Sequence, residues 1–417
     1  MRRRGKIAWG IAGGVTALLL AGVGTLAHLN RPLSRSEVDQ AIEERLRIAV
    51  EDDPTLSSAL LTVYSGPEDR LLQYAVGTER AGSDVPARTD SAYHSASVGK
   101  SMLATVYGQL VDEGALTFDD PVATWLDAET LAGLFVVDGT DHSPEVTIGQ
   151  LLSHTSGVAD YFEGPVTSGT PILEQVAVDP DHLFTPQELV AFSRDHQEPV
   201  GAPGETFAYS DTGYLLLGLA LERIEGAPYA QVLDDRLFVP LGMADSHLLT
   251  EFGEAAEILS LTADGQDISR RNALSVDWAG GGVVTTMDDL LLFLRALTGG
   301  ELVSEDTLAT LTAFEHDVDK GIGYGMGMMQ FRFSDLSPLL FAMSDLQGAV
   351  GATGTYALYD PSGDTYYIAN FGSLDYRQKA IEELVQVRLL VDRLKDYWVH
   401  DGARTIHGAA GLLAGGG

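Results

Sequence analysis

Tyr93-His94-Ser95-Ala96-Ser97-Val98-Gly99-Lys100 is the stretch from which this chain is best read. A serine and a lysine three apart at a helix start share one face, one turn apart. The spacing predicts that helix. It starts near Ser97, carries Leu103, Val106, Tyr107 and Leu110 on its apolar face, and stops at Gly114. A serine hydroxyl is a poor nucleophile until a neighbour takes its proton. A lysine can take it if burial lowers its pKa from about 10.4. The helix start also offers backbone N–H groups to a developing oxyanion. Lysine is scarce here: Lys6, Lys100, Lys320, Lys379 and Lys395 are all the chain has. A surface built from arginine and carboxylates has no evident use for a lone lysine at position 100. Ser97 and Lys100 are therefore candidate nucleophile and proton acceptor.

Outward from this segment, Ser34 to Val50 has the spacing of an amphipathic helix, with Val38, Ile42, Leu46 and Ala49 on one face. Two strands are expected at 59–64 and 71–76, around the turn-forming Ser65-Gly66-Pro67-Glu68-Asp69. From about 115 to 275 the chain reads as mostly helical, broken by Gly/Pro loops. Thr286 is placed as the N-cap of a further helix that ends before Gly299-Gly300. Strands are expected at 324–333, 355–359 and 366–370, and a last helix at about 376–397. The strand–helix alternation of a parallel doubly wound sheet is absent. The expected fold is α+β: one antiparallel sheet from both ends of the chain, flanked by the N- and C-terminal helices, with a large helical lobe inserted. Residues 30–400 form the expected domain, and the Gly/Ala/Leu-rich 401–417 a flexible tail.

The composition narrows the function. Of 417 residues, 45% are hydrophobic, enough for a sizeable core. Sixty acidic against 26 basic residues give a net charge of −34, which repels phosphate backbones and argues against nucleic-acid partners. The absence of cysteine excludes disulfides, thiolate metal sites and cysteine nucleophiles. No HExxH, P-loop or GxSxG is present, so no metal or cofactor is expected and an α/β-hydrolase is disfavoured. Gly321 to Gly327 is glycine-rich without a dinucleotide fingerprint, and Asp317 with Asp319 reads as a solvated acidic loop. At the N-terminus, MRRRGK precedes an uncharged, mostly apolar run, Ile7 to Leu29. Two readings of 1–29 stay open: an uncleaved signal anchor, or a signal peptide with Thr25-Leu26-Ala27 at its cleavage site. Either places the rest outside the cytoplasm, with the membrane met only through this segment.

These motifs together resemble the serine β-lactamase and penicillin-binding-protein superfamily, in its class C-like branch with D-alanyl-D-alanine carboxypeptidases and esterases. The resemblance rests on the Ser97–Lys100 segment, on Gly114 to Val122 (GALTFDDPV), and on Leu151 to Gly157 (LLSHTSG). It extends through Pro203-Gly204, Tyr209 to Tyr214 (YSDTGY), Leu241-Gly242-Met243 and Ala279 to Leu290 (AGGGVVTTMDDL).

The resemblance implies a β-lactamase/transpeptidase-like fold and a Ser97 acyl-enzyme formed from an ester, amide or β-lactam. It makes Tyr209 the tyrosine of a Y-x-N motif, able to relay protons to the leaving group. Asp211 stands where that motif has asparagine and is grouped with the substrate and oxyanion contacts, although an ionised aspartate only accepts hydrogen bonds. Its charge would also favour protonated Lys100. His154, Ser156 and His94 are expected to be structural. The third motif departs most: Gly348 to Thr355 reads GAVGATGT, with Ala349 and Val350 where relatives have a basic and a hydroxyl residue. A second register, Ala352-Thr353-Gly354, restores the hydroxyl but not the cation. Gly351 and Ala352 are expected at the oxyanion hole, which needs only backbone N–H groups. The implied substrate is a small molecule or peptide, with neutral esters favoured. The other reading is a non-catalytic binding member of the same fold. Nothing in the sequence fixes the oligomeric state.

Overall fold

The computed structural model describes residues 31–250, 252 and 257–394. The apolar run at 7–29 and the tail at 401–417 lie outside the described residues. Among the described residues no helix is long and apolar enough to cross a membrane.

The chain opens with helix α1 (Arg35–Asp52) and the hairpin β1 (Ser58–Ser65) and β2 (Arg70–Gly77). The Ser34 hydroxyl accepts the Glu37 N–H, and the Glu37 carboxylate accepts the Ser34 N–H, closing a capping box that fixes where α1 begins. Helix α2 (Gly99–Asp112) carries Lys100 in its first turn. The two longest helices of the next 160 or so residues are Pro186–His196 and α3 (Asp211–Glu225); the others are short, so this lobe is less helical than expected from the sequence. Helix α4 (Met287–Thr298) follows, with Thr286 accepting the Asp289 N–H as its N-cap. Six strands then return: β3 (His316–Asp319), β4 (Ile322–Tyr324), β5 (Met329–Phe331), β6 (Leu346–Val350), β7 (Tyr356–Asp360) and β8 (Thr365–Asn370). Helix α5 (Arg377–Val391) completes the described chain.

The eight strands form one sheet in the order β3-β4-β5-β6-β7-β8-β1-β2, antiparallel throughout. The first hairpin therefore docks on the last strand, Leu60 opposite Asn370 and Tyr64 opposite Tyr366. This is the expected α+β architecture. Every residue of β1 is buried because helices cover both faces of the sheet. Leu60 and Ile368 face α2 and α4, whereas Ala59, Leu61 and Val63 face α1 and α5. That double burial explains why β1 reads as SALLTVYS, without polar alternation.

Two sequence expectations need correction. The strand foreseen at 324–333 is two strands, because Gly325-Met326-Gly327 turns the chain between them and Gly327 adopts φ +72°. Asp317 and Asp319 are on the edge strand β3 rather than in a loop; Arg332 pairs with Asp317 at 2.8 Å.

Candidate active site

Ser97 occupies a single 3₁₀ turn, Ala96–Val98, that leads into α2. The preceding segment is fixed by a small sheet in which Tyr93–His94 pairs with Val283–Thr285, and Ser95 N donates to Val283 O at 2.8 Å. Ala96 has φ +48°, a left-handed conformation that costs a residue with a Cβ. Its surroundings hold it there. Ala96 N donates to His94 Nδ1 at 3.2 Å. A Cβ on Gly281 would lie 2.2 Å from Ala96 O, and one on Gly351 2.8 Å from Ala96 Cβ. The turn is thus clamped between two backbones that only glycine lets approach. His94 is buried, and burial pushes its pKa down to about 4, so the ring stays neutral and keeps accepting.

Lys100 is 1% exposed. Its Nζ lies 3.2 Å from Ser97 Oγ and 2.5 Å from Asp211 Oδ1, and it also donates to Gly280 O. The ammonium sits over the rings of Tyr209 and Tyr214, 5.2 and 5.3 Å from their centroids. Burial opposes its charge, but Asp211 and Asp277 outweigh burial and hold Lys100 above the usual lysine range.

Tyr209 is half-buried, with its hydroxyl in hydrogen-bonding reach of Ser97. Burial and the Asp211 charge push the phenol well above its ordinary pKa, against the pull of the Ser97 contact. Its ring rests on His154, centroids 4.1 Å apart. His154 Nδ1 accepts Ser210 N–H at 3.1 Å, which leaves Nε2–H to donate to Tyr324 OH at 3.0 Å. His154 is therefore tied to the Tyr209–Asp211 segment, and both its ring nitrogens are engaged by partners other than Ser97. The Ser156 hydroxyl accepts Val158 N–H in the same turn.

Asp211 is 6% exposed and bound to Lys100, at the residue where α3 starts with Ser210 as N-cap. Its N–H donates to Asp160 Oδ1 at 3.0 Å. A Cβ on Gly280 would lie 2.8 Å from Asp211 Oδ1 and 3.0 Å from Asp277 Oδ1, so this glycine leaves room for two carboxylates beside Lys100. Burial and Asp211 raise Asp160 to about 7, and burial raises Asp211 and Asp277. Sequence reasoning missed Asp160, Asp277 and Gly280. Asp277 lies two residues before the quoted AGGG run and Gly280 within it, and Asp160 carries no local signal.

On the opposite side, β6 pairs with β5 only from Leu346 to Gly348, while Ala349 and Val350 run on beyond it toward the nucleophile turn. Gly351 packs there, where a Cβ would meet Ser95 O at 2.9 Å and Ser97 N at 3.4 Å. Ala352 follows in a turn closed by Gly351 N to Thr355 O at 2.7 Å. Ala349 belongs to the core shared with α2, whereas Val350 is 3% exposed in the core on the α1 and α5 face. The Val350 side chain is therefore packed in that core. Among the described residues, no three His, Asp or Glu side chains converge in a way that would hold a metal ion.

A family model described as beta-lactamase matches residues 39–384. Penicillin-binding protein 4 of Amycolatopsis lactamdurans is 35% identical over 184 residues, 43% of this chain and 42% of that protein, so less than half of that relative's length is matched. Esterase EstB of Burkholderia gladioli is 24% identical over 326 residues, 71% of this chain and 78% of the esterase. Among solved structures, a D-stereospecific amidohydrolase from a Streptomyces species superposes with a TM-score of 0.67 at 27% identity, covering 82% of this chain and 97% of that one.

Proposed function

Since the chain belongs to the beta-lactamase family, we propose that it is a serine hydrolase that cleaves small neutral esters through an acyl-enzyme on Ser97. Relatives of this fold include an esterase and an amidohydrolase, so hydrolysis is the chemistry they share. The observation that carries the reading is a single hydroxyl, Ser97 Oγ, with Lys100 Nζ at 3.2 Å and the Tyr209 hydroxyl within reach. Ser97 attacks the ester carbonyl as Lys100 receives its proton. The backbone N–H groups of Ser97 and Ala352 hold the oxyanion, and Tyr209 passes a proton to the departing alkoxide. Water then releases the acyl group by the same path. The catalytic part works outside the cytoplasm, a placement supported by the basic and apolar sequence of residues 1–29.

The preference for neutral esters follows from Ala349. A substrate carboxylate entering this site needs a cation or donors to replace its lost hydration. A methyl group offers neither. Without one charge-assisted hydrogen bond, binding falls about 10- to 100-fold. A neutral ester loses nothing. Labelling with a fluorescent phosphonate that Ser97→Ala abolishes is the expected result; absence of labelling would favour the non-catalytic reading. For specificity, kcat/KM is compared for p-nitrophenyl butyrate and a peptide ending in D-Ala-D-Ala. The ester is expected to win in the wild type, and Ala349→His is expected to improve the peptide. A wild type that prefers the peptide overturns the substrate assignment.

A further inference from the structure

We propose that Asp211 is the final acceptor of the Ser97 proton, with Lys100 passing that proton across. The proposal rests on the reading that Ser97 is acylated. Lys100 has three N–H donors as an ammonium, and three acceptors surround it: Ser97 Oγ, Asp211 Oδ1 and Gly280 O. With every hydrogen engaged, Nζ has no lone pair to offer the serine. A proton must leave first. Ser97 is the group to be deprotonated and a backbone carbonyl does not hold a proton at ordinary pH, so of the three only the carboxylate can take it.

The proton count closes. One N–H bond of Lys100 breaks as Asp211 gains an O–H bond, which turns the buried ion pair into a neutral amine and a neutral acid. Ser97 then gives its proton to Nζ as Oγ bonds to the substrate carbonyl, restoring the ammonium. When the tetrahedral intermediate collapses, the leaving alkoxide receives a proton by way of Nζ and Tyr209. Asp211 returns its proton to Nζ, and acylation ends with the enzyme's protons as they began. Hydrolysis of the acyl-enzyme repeats the path with water in place of Ser97.

The surroundings favour a proton on Asp211. Asp160, from the loop just after the LLSHTSG stretch, accepts the Asp211 N–H, and Asp277 shares the space beside Gly280. Two further carboxylates thus face this one against a single ammonium, Lys100 on α2, and like charges drive protonation. The other groups that face it are the hydroxyls of Tyr161, Tyr209, Tyr214 and, from β4, Tyr324, which burial keeps neutral. An asparagine here would accept the same hydrogen bond from Lys100 but could not take its proton. Aspartate at this position therefore changes what the lysine can do without disturbing how it is held.

The test uses the full chain, wild type and Asp211→Asn, with p-nitrophenyl butyrate across pH 4 to 10 and phosphonate labelling in parallel. The competent wild-type state has one proton too few to protonate Asp211 beside charged Lys100, so the acid limb of kcat/KM falls in the carboxylate range. In Asp211→Asn that limb must report the lysine itself. It is expected to move up by about two pH units or more, with kcat/KM at pH 7 down at least about tenfold and KM little changed. An unshifted limb in an active variant overturns the relay alone and leaves the hydrolase standing. Should the variant not fold, a wild-type acid limb in the lysine range overturns the relay. A wild type that neither labels nor turns over the ester overturns both.

Discussion

His154 shows what one residue does for its neighbours here. Its ring is neutral, with burial and the Lys100 charge holding its pKa well below the ordinary value. It fills the space between Tyr209, Tyr214, Tyr324 and Phe207 while accepting the Ser210 N–H. We expect His154→Ala to destabilise the fold by about 2–4 kcal/mol, read by urea unfolding, because it leaves a cavity and an unpaired N–H. Since Tyr209 loses its support, kcat should fall about tenfold with KM little changed. His94 gives a pH prediction. Its pKa is about 4 in the folded chain and about 6.5 when unfolded, so the unfolded state binds more protons between those values. Stability from this residue is present above pH 6.5 and lost as pH falls through 4. Asp160, raised to about 7, acts oppositely: its contribution is present at low pH and lost as pH rises from about 4 through 7. Relative to the wild type, the change in denaturant midpoint from pH 4.5 to pH 6.5 should therefore shift downward in His94→Gln, where Asp160 acts alone, and upward in Asp160→Asn, where His94 acts alone. Ser97 and Lys100 could be read from spacing and from the rarity of lysine. Asp160 and Asp277 could not, since their approach to Lys100 is made by tertiary packing between segments far apart in the chain.

Among elements, the hairpin of β4 and β5 matters most to the site. Its turn presses on α2: a Cβ on Gly327 would lie 2.7 Å from Lys100 O and 2.7 Å from Ala104 Cβ. With φ at +72°, Gly327 is also strained for any other residue. Gly327→Ala should lower stability by more than about 1 kcal/mol and, by shifting the first turn of α2, reduce ester hydrolysis about tenfold or more. Thermal unfolding and kcat measured on one preparation would check both, and an active, equally stable variant would show that the hairpin does not position Lys100. The same place shows the limit of reading strands from pattern. Apolar residues continue from Tyr324 to Phe333, and only the glycines at 325 and 327 mark where the chain reverses. By contrast, β1, β2, β7 and β8 lie within a residue of their expected bounds: β1, β7 and β8 are mostly buried apolar runs bounded by turns, and the edge strand β2 is set by its hairpin with β1.

For the whole molecule the governing quantity is charge. A net −34 on a folded chain is self-repelling, and its exposed acids outnumber the arginines that pair with them. The unfolded chain spreads the same charge over a larger volume, so screening favours the folded state. Raising NaCl from about 10 mM to 300 mM shortens the Debye length from about 30 Å to about 6 Å. The melting temperature should rise over that range, and a fall would show that attractive ion pairs outweigh the repulsion. Arg45 with Glu383 and Arg388 with Asp360 hold α5 to α1 and to the sheet; burial shields the second pair from this screening, and the first, with Arg45 partly exposed, less so.

The pairing of β1 with β8 sets an order of events during synthesis. Strand β2 is available as soon as β1 leaves the ribosome, but the other edge of β1 waits for residues 365–370. Through most of translation, SALLTVYS offers an open, apolar strand edge with no partner of its own. The chain thus depends on being kept apart from its copies until the last strand emerges, whether by a holding chaperone or by threading across a membrane before it folds.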